Sequence, residues 1–346
     1  MKTEVISAIA QPEAGTGVGA DLIKNGQLVV FPTETVYGLG ANGLDGEAVN
    51  RIFEAKGRPN DNPLILHVSR KSEVKKLWGH VPAIAEKLMD TFWPGPLTLI
   101  FNRSSIVPDE VTAGLETVAV RMPSNETARA LIRKAGVPIA APSANLSGKP
   151  SPTTAEHVLR DMDGRVPLII DGGPCRFGVE STVVSLVGEP TILRPGAITK
   201  EMLEAVIGTV RLADCLLKPL REGEKVLSPG MKYRHYAPKA RVIVVTGEPR
   251  KAAERIQELY WRLEGEGHTC EIAATDQTAP AYKSCRYTLL GDRNDPITLC
   301  QSLFYSLREM DERADVILAE GIPTDGAGLA YMNRLLRAAG FETIRV

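Results

Sequence analysis

Eight short apolar runs divide the first two hundred residues: Leu28–Phe31, Leu64–Val68, Leu97–Phe101, Val118–Arg121, Pro138–Ala141, Leu168–Asp171, Ser181–Leu186 and Thr191–Arg194. Each has the length of a strand, and amphipathic stretches at 46–56, 81–92, 125–135, 154–162 and 199–207 read as helices. Several runs lie too close together for a crossover helix between them. A purely parallel sheet is therefore excluded, and the segment is expected to build a mixed one. Thr153 and Glu156 fit a capping box, and Gly57 and Gly136 stand where helices end.

Beyond residue 240 the alternation is cleaner. Strands are expected at Arg241–Val245, Cys270–Ala274, Tyr287–Leu290 and Val316–Ala319, with helices over 250–263, 297–309 and 328–339. This predicts a smaller three-layer α/β domain. Between the two patterns, residues 214–240 hold Pro219, Pro229, Gly230 and Pro238, and the thirty residues from 211 to 240 carry seven basic against three acidic groups. The expected organisation is a catalytic domain over 1–213, a basic linker or flap over 214–240 and a second α/β domain over 241–346. The linker run Ser228–Pro238, SPGMKYRHYAP, has a composition suited to a flap closing over an anionic ligand.

The 346 residues carry a net charge of −1 and only 5% aromatic residues, which argues against a general nucleic-acid binder or a base-stacking platform. Any phosphate contacts should be local. The five cysteines, at 175, 215, 270, 285 and 300, form no C-x-x-C pair and read as free thiols of a reducing compartment. No signal-peptide pattern opens the chain and no apolar run approaches a membrane span, so a cytoplasmic protein without a membrane segment is expected.

Gly15–Ala20 matches G-x-G-x-x-A, yet Gln11, Pro12, Glu13 and Ala14 separate it from the nearest apolar run. A dinucleotide fingerprint needs glycine at the strand end, so a loop capping a short helix is the better reading. There is no P-loop. Instead, polar side chains gather at strand and helix ends. PTETVYGLG (32–40) follows a strand with two hydroxyls and two glycines, a turn able to hold a carboxylate. Lys56 and Arg58 flank a glycine at a helix end, and Ser143 and Asn145 stand two apart after the run ending at Ala141. Arg121 and Arg194 each terminate a strand. Four cations with Ser, Thr and Asn around converging strand ends point to a phosphate site. Ser143 has no base at activating spacing and reads as a hydrogen-bond donor, and neither His67 nor His235 belongs to a metal motif.

PTETVYGLG, AKGRP, WPGPLT, VAVRMP, APSANLSGKPSPT, GVESTVV, LRPG and SPGMKYRHYAP, in this order along almost the whole chain, resemble the two-domain form of the L-threonylcarbamoyladenylate synthases, the YrdC-like family with an added C-terminal domain. The resemblance implies a YrdC-like twisted mixed sheet followed by a smaller Rossmann-like domain. It also implies formation of threonylcarbamoyl-AMP and pyrophosphate from ATP, L-threonine and bicarbonate. That product feeds a separate threonylcarbamoyl transferase complex, which modifies adenosine in tRNAs reading ANN codons. Carried over by motif, Lys56, Arg58, Ser143 and Asn145 form a catalytic quartet at the ATP phosphates. Further ATP contacts would be Asn62, Thr117, Ser151, Arg194 and the linker residues Arg234, His235 and Tyr236. L-threonine would meet Thr35, His67, Arg121, the backbone of Ala141, and Ser181. Mg²⁺ would ride on the phosphates, since the sequence offers no dedicated carboxylate cage. The competing readings are a weak RNA-binding module and, more remotely, a dinucleotide-dependent oxidoreductase.

Overall fold

The computed structural model describes residues 2–218 and 236–346, so Arg234, His235 and most of the expected linker lie outside the described residues. The first sheet holds eleven described strands: β1 (Glu4–Ser7), β2 (Val29–Phe31), β3 (Gly38–Asn42), β4 (Ile65–His67), β5 (Leu97–Asn102), β6 (Thr117–Arg121), β7 (Ile139–Ala140), β8 (Leu168–Asp171), β9 (Thr182–Ser185), β10 (Thr191–Arg194) and β11 (Arg211–Leu212). Their order is β1-β8-β2-β3-β7-β4-β6-β5-β9-β10-β11. The sheet is mixed: β4 and β6 run parallel, whereas β5 is antiparallel to β6 and β2 to β3.

Alternation along the strands sorts the two faces of this sheet. Val118 and Val120 enter the main core, under the helices Gly46–Lys56 and Ala83–Phe92. The other face of β6 carries Thr117, Ala119 and Arg121; register places Ile65 and His67 of β4, and Thr98 and Ile100 of β5, beside them. Ile65, Ile100, Ala119, Val183 and Leu193 form a small apolar cluster on that face. The sheet is thus greasy underneath and chemically mixed on top.

The second sheet comprises β12 (Arg241–Thr246), β13 (Cys270–Thr275), β14 (Tyr287–Gly291), β15 (Val316–Glu320) and β16 (Thr343–Arg345), in the order β14-β13-β15-β12-β16 and parallel throughout. Helix Pro249–Gly265 packs on one face through Ala252, Ile256 and Leu259. Helices Pro296–Met310 and Gly328–Ala338 cover the other through Leu303, Phe304 and Leu335. These three layers match the expected architecture. Every residue of Gly328–Ala338 is buried, because the helix is pressed between its own sheet and the first domain.

Contacts between the two sheets' helices and loops are dense and largely polar. Val36 and Val179 join the core around Tyr236 and Phe304. Arg308 donates to Pro150 O at 3.0 and 2.6 Å and pairs with Asp161 at 2.7 Å. At Gly178, which has φ 69°, a Cβ would lie 2.3 Å from the Gln301 carbonyl oxygen, so glycine is what permits the approach.

Some expectations need correction. The cap of helix Ala155–Met162 is Thr154, whose hydroxyl accepts from His157 N–H; Thr153 sits one residue outside. Strands β3, β11 and β16 were not anticipated. Gly15–Ala20 opens a nine-residue helix, Thr16–Lys24, and a Cβ on Gly19 would press within 2.9 Å of Leu131, so that glycine serves packing. All five cysteines are free.

Candidate active site

A narrow cleft of about 70 Å³ opens over the mixed face of the first sheet. Its wall is formed by the β2–β3 turn, the ends of β4, β6 and β10, the loop after β7, Arg58 and Tyr236. Of the residues singled out from the sequence, Thr35, Arg58, His67, Arg121, Ala141, Ser143, Arg194 and Tyr236 line it.

The threonine-rich turn is built around Arg121. Thr33 and Thr35 hydroxyls lie 2.8 Å apart, Arg121 Nη1 donates to Thr35 Oγ1 at 3.0 Å, and Arg121 Nη2 stands 2.7 Å from Glu34 Oε1. Both members of that ion pair are buried. Burial pushes the Glu34 carboxyl up, but the charge and hydrogen bond of Arg121, together with backbone N–H donors, outweigh it and hold the group below the usual carboxylate range. His67, next to Arg121 by register, is driven down to about 3 by burial and then by the neighbouring guanidinium. It is therefore neutral at physiological pH, and its Nδ1 has no hydrogen-bond partner among the described residues. A neutral ring beside a cationic arginine can orient a ligand without adding charge.

Several expected residues stand just behind the wall instead of on it. Lys56, buried at the C-terminal end of its helix, donates to Ser143 O at 2.5 Å and to Asn145 O at 2.6 Å, tying the loop 143–145 to the helix end. Burial and then the charge of Arg58 hold its ammonium well below the usual lysine range. Asn145 accepts the Ser143 hydroxyl at 2.6 Å and donates to Leu146 O and Lys149 O. The quartet thus divides: Arg58 and Ser143 face the cleft, while Lys56 and Asn145 fix the loop that presents Ser143.

Ser181 lies beneath Arg194, accepting from its Nε at the carbonyl (3.0 Å) and from Nη2 at the hydroxyl (3.1 Å), and its hydroxyl also meets Thr98 at 2.8 Å. Ser151 donates to Glu180 Oε1 at 2.5 Å. Thr117 shares the face of Arg121 but sits four residues upstream on β6, roughly 13 Å away at strand rise. Asn62 is fully buried beside Arg58, which donates to its carbonyl at 3.0 Å, and both of its amide side-chain atoms lack partners among the described residues.

Sequence reasoning counted Thr33 only as one of the turn's two hydroxyls and gave no site role to Glu34, Tyr37 or Glu180. Thr33, Glu34 and Tyr37 lie inside a run already singled out, and Glu180 precedes Ser181 in another. Their roles depend on partners far along the chain: Tyr37 hydroxyl donates to Asp171 at 3.1 Å and to Gly173 O at 2.8 Å.

Three arginines, two threonine hydroxyls, a serine and a neutral histidine around one cleft define an α/β protein whose site takes an anionic small molecule at strand ends. Comparison with known proteins carries this to a family. A family profile described as "Telomere recombination" matches residues 21–196, and one described as "Threonylcarbamoyl-AMP synthase, C-terminal domain" matches 198–340. A threonylcarbamoyl-AMP synthase of Bacillus subtilis is 50% identical over 94% of this chain and 93% of its own, and one of Pyrococcus abyssi is 49% identical over 95% of both. The crystal structure of Pyrococcus abyssi Sua5 complexed with L-threonine superposes with a TM-score of 0.92 at 46% identity, covering all of both chains. The chain belongs to the two-domain Sua5 family of threonylcarbamoyl-AMP synthases, and it is an enzyme of the nucleotidyltransferase kind.

Proposed function

We propose that the cleft condenses L-threonine, bicarbonate and ATP into threonylcarbamoyl-AMP with release of pyrophosphate and of the water lost as bicarbonate becomes carbamate. The observation that carries this reading is the placement of Arg58, Arg121 and Arg194 around one cavity with Ser143 and the Thr33–Thr35 turn. L-threonine lies at the β2–β3 turn, its carboxylate on Arg121 and the Thr35 hydroxyl. The N–H of Ala141 is taken by Ile65 O at 3.0 Å, so the group it offers the substrate amine is its carbonyl oxygen. His67, neutral, closes that end, and Ser181 supports it from below through Arg194.

ATP lies along the same face, its phosphates between Arg58, Ser143 and Arg194. Asn62 and Thr117, at the upstream ends of β4 and β6, are the residues we assign to the nucleoside end, although neither borders the cleft. Lys56 and Asn145 hold the loop that presents Ser143 to the phosphates, Ser151 fixes the Glu180 carboxylate, and Tyr236 closes one wall. The carbamate formed from threonine's amine and carbon dioxide attacks the α-phosphorus through oxygen, and the bond to pyrophosphate breaks. No side-chain nucleophile is required. Guanidinium and hydroxyl groups offset the charge that develops on the departing pyrophosphate.

Mg²⁺ enters with ATP. The described residues contain no group of three His, Cys, Asp or Glu that could hold an ion, and the cleft's wall carboxylate, Glu180, is already engaged by Ser151 and Arg334. The chain therefore leaves the ion to phosphate oxygens and water, and no step is assigned to it. The product is the activated form that a separate transferase complex places on tRNA. No described helix is long and apolar enough to cross a membrane.

The test is pyrophosphate release from ATP by the purified chain. Release should require both L-threonine and bicarbonate and should collapse in Arg58→Ala. Release indifferent to threonine would sink the reading.

A further inference from the structure

Glu180 lines the cleft from the first domain, yet the group that neutralises it comes from the second. Arg334, on helix Gly328–Ala338, donates from Nε to Glu180 Oε2 at 2.8 Å and has no exposed side-chain surface. Its Nη2 reaches the Glu180 carbonyl at 3.4 Å, and Nη1 donates to the adjacent Asn333 at 2.7 Å. Asn333 in turn donates to Leu216 O at 2.5 Å, across the domain boundary. The same guanidinium lies 5.7 Å from the ring centre of Tyr236, another wall residue.

The other Glu180 oxygen receives the Ser151 hydroxyl, and the next residue, Ser181, carries Arg194. The charged and titratable groups around this carboxylate are Arg334, Arg194, Lys56 and Tyr236. Burial would raise the Glu180 carboxyl, but Arg334 and then Arg194 overcome it and keep the group ionised. A buried carboxylate beside a phosphate cleft is tolerable only while its charge is cancelled.

We propose that Arg334 is a positioning residue for the nucleotide, supplied across the domain interface: it neutralises Glu180 and aligns Glu180, Ser151 and Tyr236 along one wall of the cleft. The second domain then completes the site without touching the reacting atoms. This inference rests on ATP occupying the cleft as described above. It explains why Arg334 is buried in a helix that faces the first domain. Without it, Glu180 would present an unbalanced negative charge to the triphosphate, while the threonine end, built by Thr35, His67 and Arg121, would keep its geometry.

The experiment compares steady-state pyrophosphate release in the full-length wild type, Arg334→Met, Arg334→Lys, Glu180→Gln with Arg334→Met, and wild type without threonine. Arg334→Met should raise the KM for ATP about tenfold or more, with the KM for threonine within about threefold of wild type, as expected for a charge uncovered on one wall. Arg334→Lys should fall between. Adding Glu180→Gln to Arg334→Met should return the ATP KM to within about threefold of wild type, because the uncovered charge is gone. A fold-supporting arginine would instead lower kcat or the amount of folded enzyme, with no rescue from Glu180→Gln. Should Arg334→Met fail to fold, the lysine and double variants, checked by thermal melting, carry the test. An unchanged ATP KM in Arg334→Met, or a folded double variant with its ATP KM still raised, overturns the proposal. Threonine-independent behaviour of the wild type would instead overturn the reading of the cleft.

Discussion

Each domain sets a buried glutamate against an arginine, and the two pairs are used differently. In the first domain Arg121 and Glu34 sit under a cleft, and Arg121 keeps a hand on Thr35, a wall residue. In the second, Glu320 ends β15 with no exposed surface and is closed off by Arg293 and the hydroxyls of Thr275 at 3.1 Å and Thr278 at 2.8 Å. One pair faces a ligand's place; the other is consumed by the fold. The lesson is that a buried charge in this protein signals a substrate site only where the surrounding donors also border a cavity.

That contrast can be broken by mutation. The largest effect is expected from Arg58→Ala, which removes one of the cations that line the cleft. Turnover should drop by roughly 10²–10³, the usual loss for one preorganised electrostatic group, with the melting temperature little changed. Next comes Arg121→Met, which leaves Glu34 buried and uncompensated. A stability loss of about 3–5 kcal/mol in urea unfolding is expected, together with loss of threonine binding in calorimetry. Adding Glu34→Gln should restore stability but not binding. Arg293→Met should cost similar stability, yet the KM values for ATP and threonine in the folded fraction should stay put. A large rise in either KM would erase the distinction between the two pairs.

Smaller effects sharpen the comparison. His67 titrates at about 3 in the folded chain, far below its ordinary value near 6.5. Between these values the unfolded chain binds a proton that the folded one does not, so stability rises with pH across that window and is lost as pH falls. His67→Gln should flatten this acid limb by up to about 1.4 kcal/mol per pH unit, read from urea midpoints between pH 4 and 6.5. Gly178→Ala, overpacking the domain contact, should cost about 1–3 kcal/mol.

Much of this was legible in advance, for physical reasons that also explain what was not. Leu168–Asp171 and Thr191–Arg194 were read to the residue because their apolar runs are bounded by breakers. Strand β3 was missed because its sequence, GLGAN, has little strand character. The structure requires it nonetheless: a Cβ on Gly40 would lie 2.8 Å from both Phe31 and Ile139, so the strand is glycine because its neighbours crowd it. Strand β16 is short and at an edge. At the site, residues at strand ends were visible as polar breaks in apolar runs. The division of labour was not. That Lys56 holds Ser143 and Asn145 by their carbonyls, 87 and 89 residues away, leaves no trace in local pattern. Nor does a partnership between Glu180 and Arg334, separated by 154 residues and by a domain boundary.

The most direct test follows label from bicarbonate into an AMP adduct. Purified wild type, Arg58→Ala and Arg293→Met would each be incubated with ATP, L-threonine and labelled bicarbonate, and the nucleotide products separated. Wild type and folded Arg293→Met should form a labelled threonylcarbamoyl-AMP that disappears when threonine is omitted, and Arg58→Ala should form almost none. Undiminished product from Arg58→Ala would contradict the placement of the chemistry in the cleft of the first sheet.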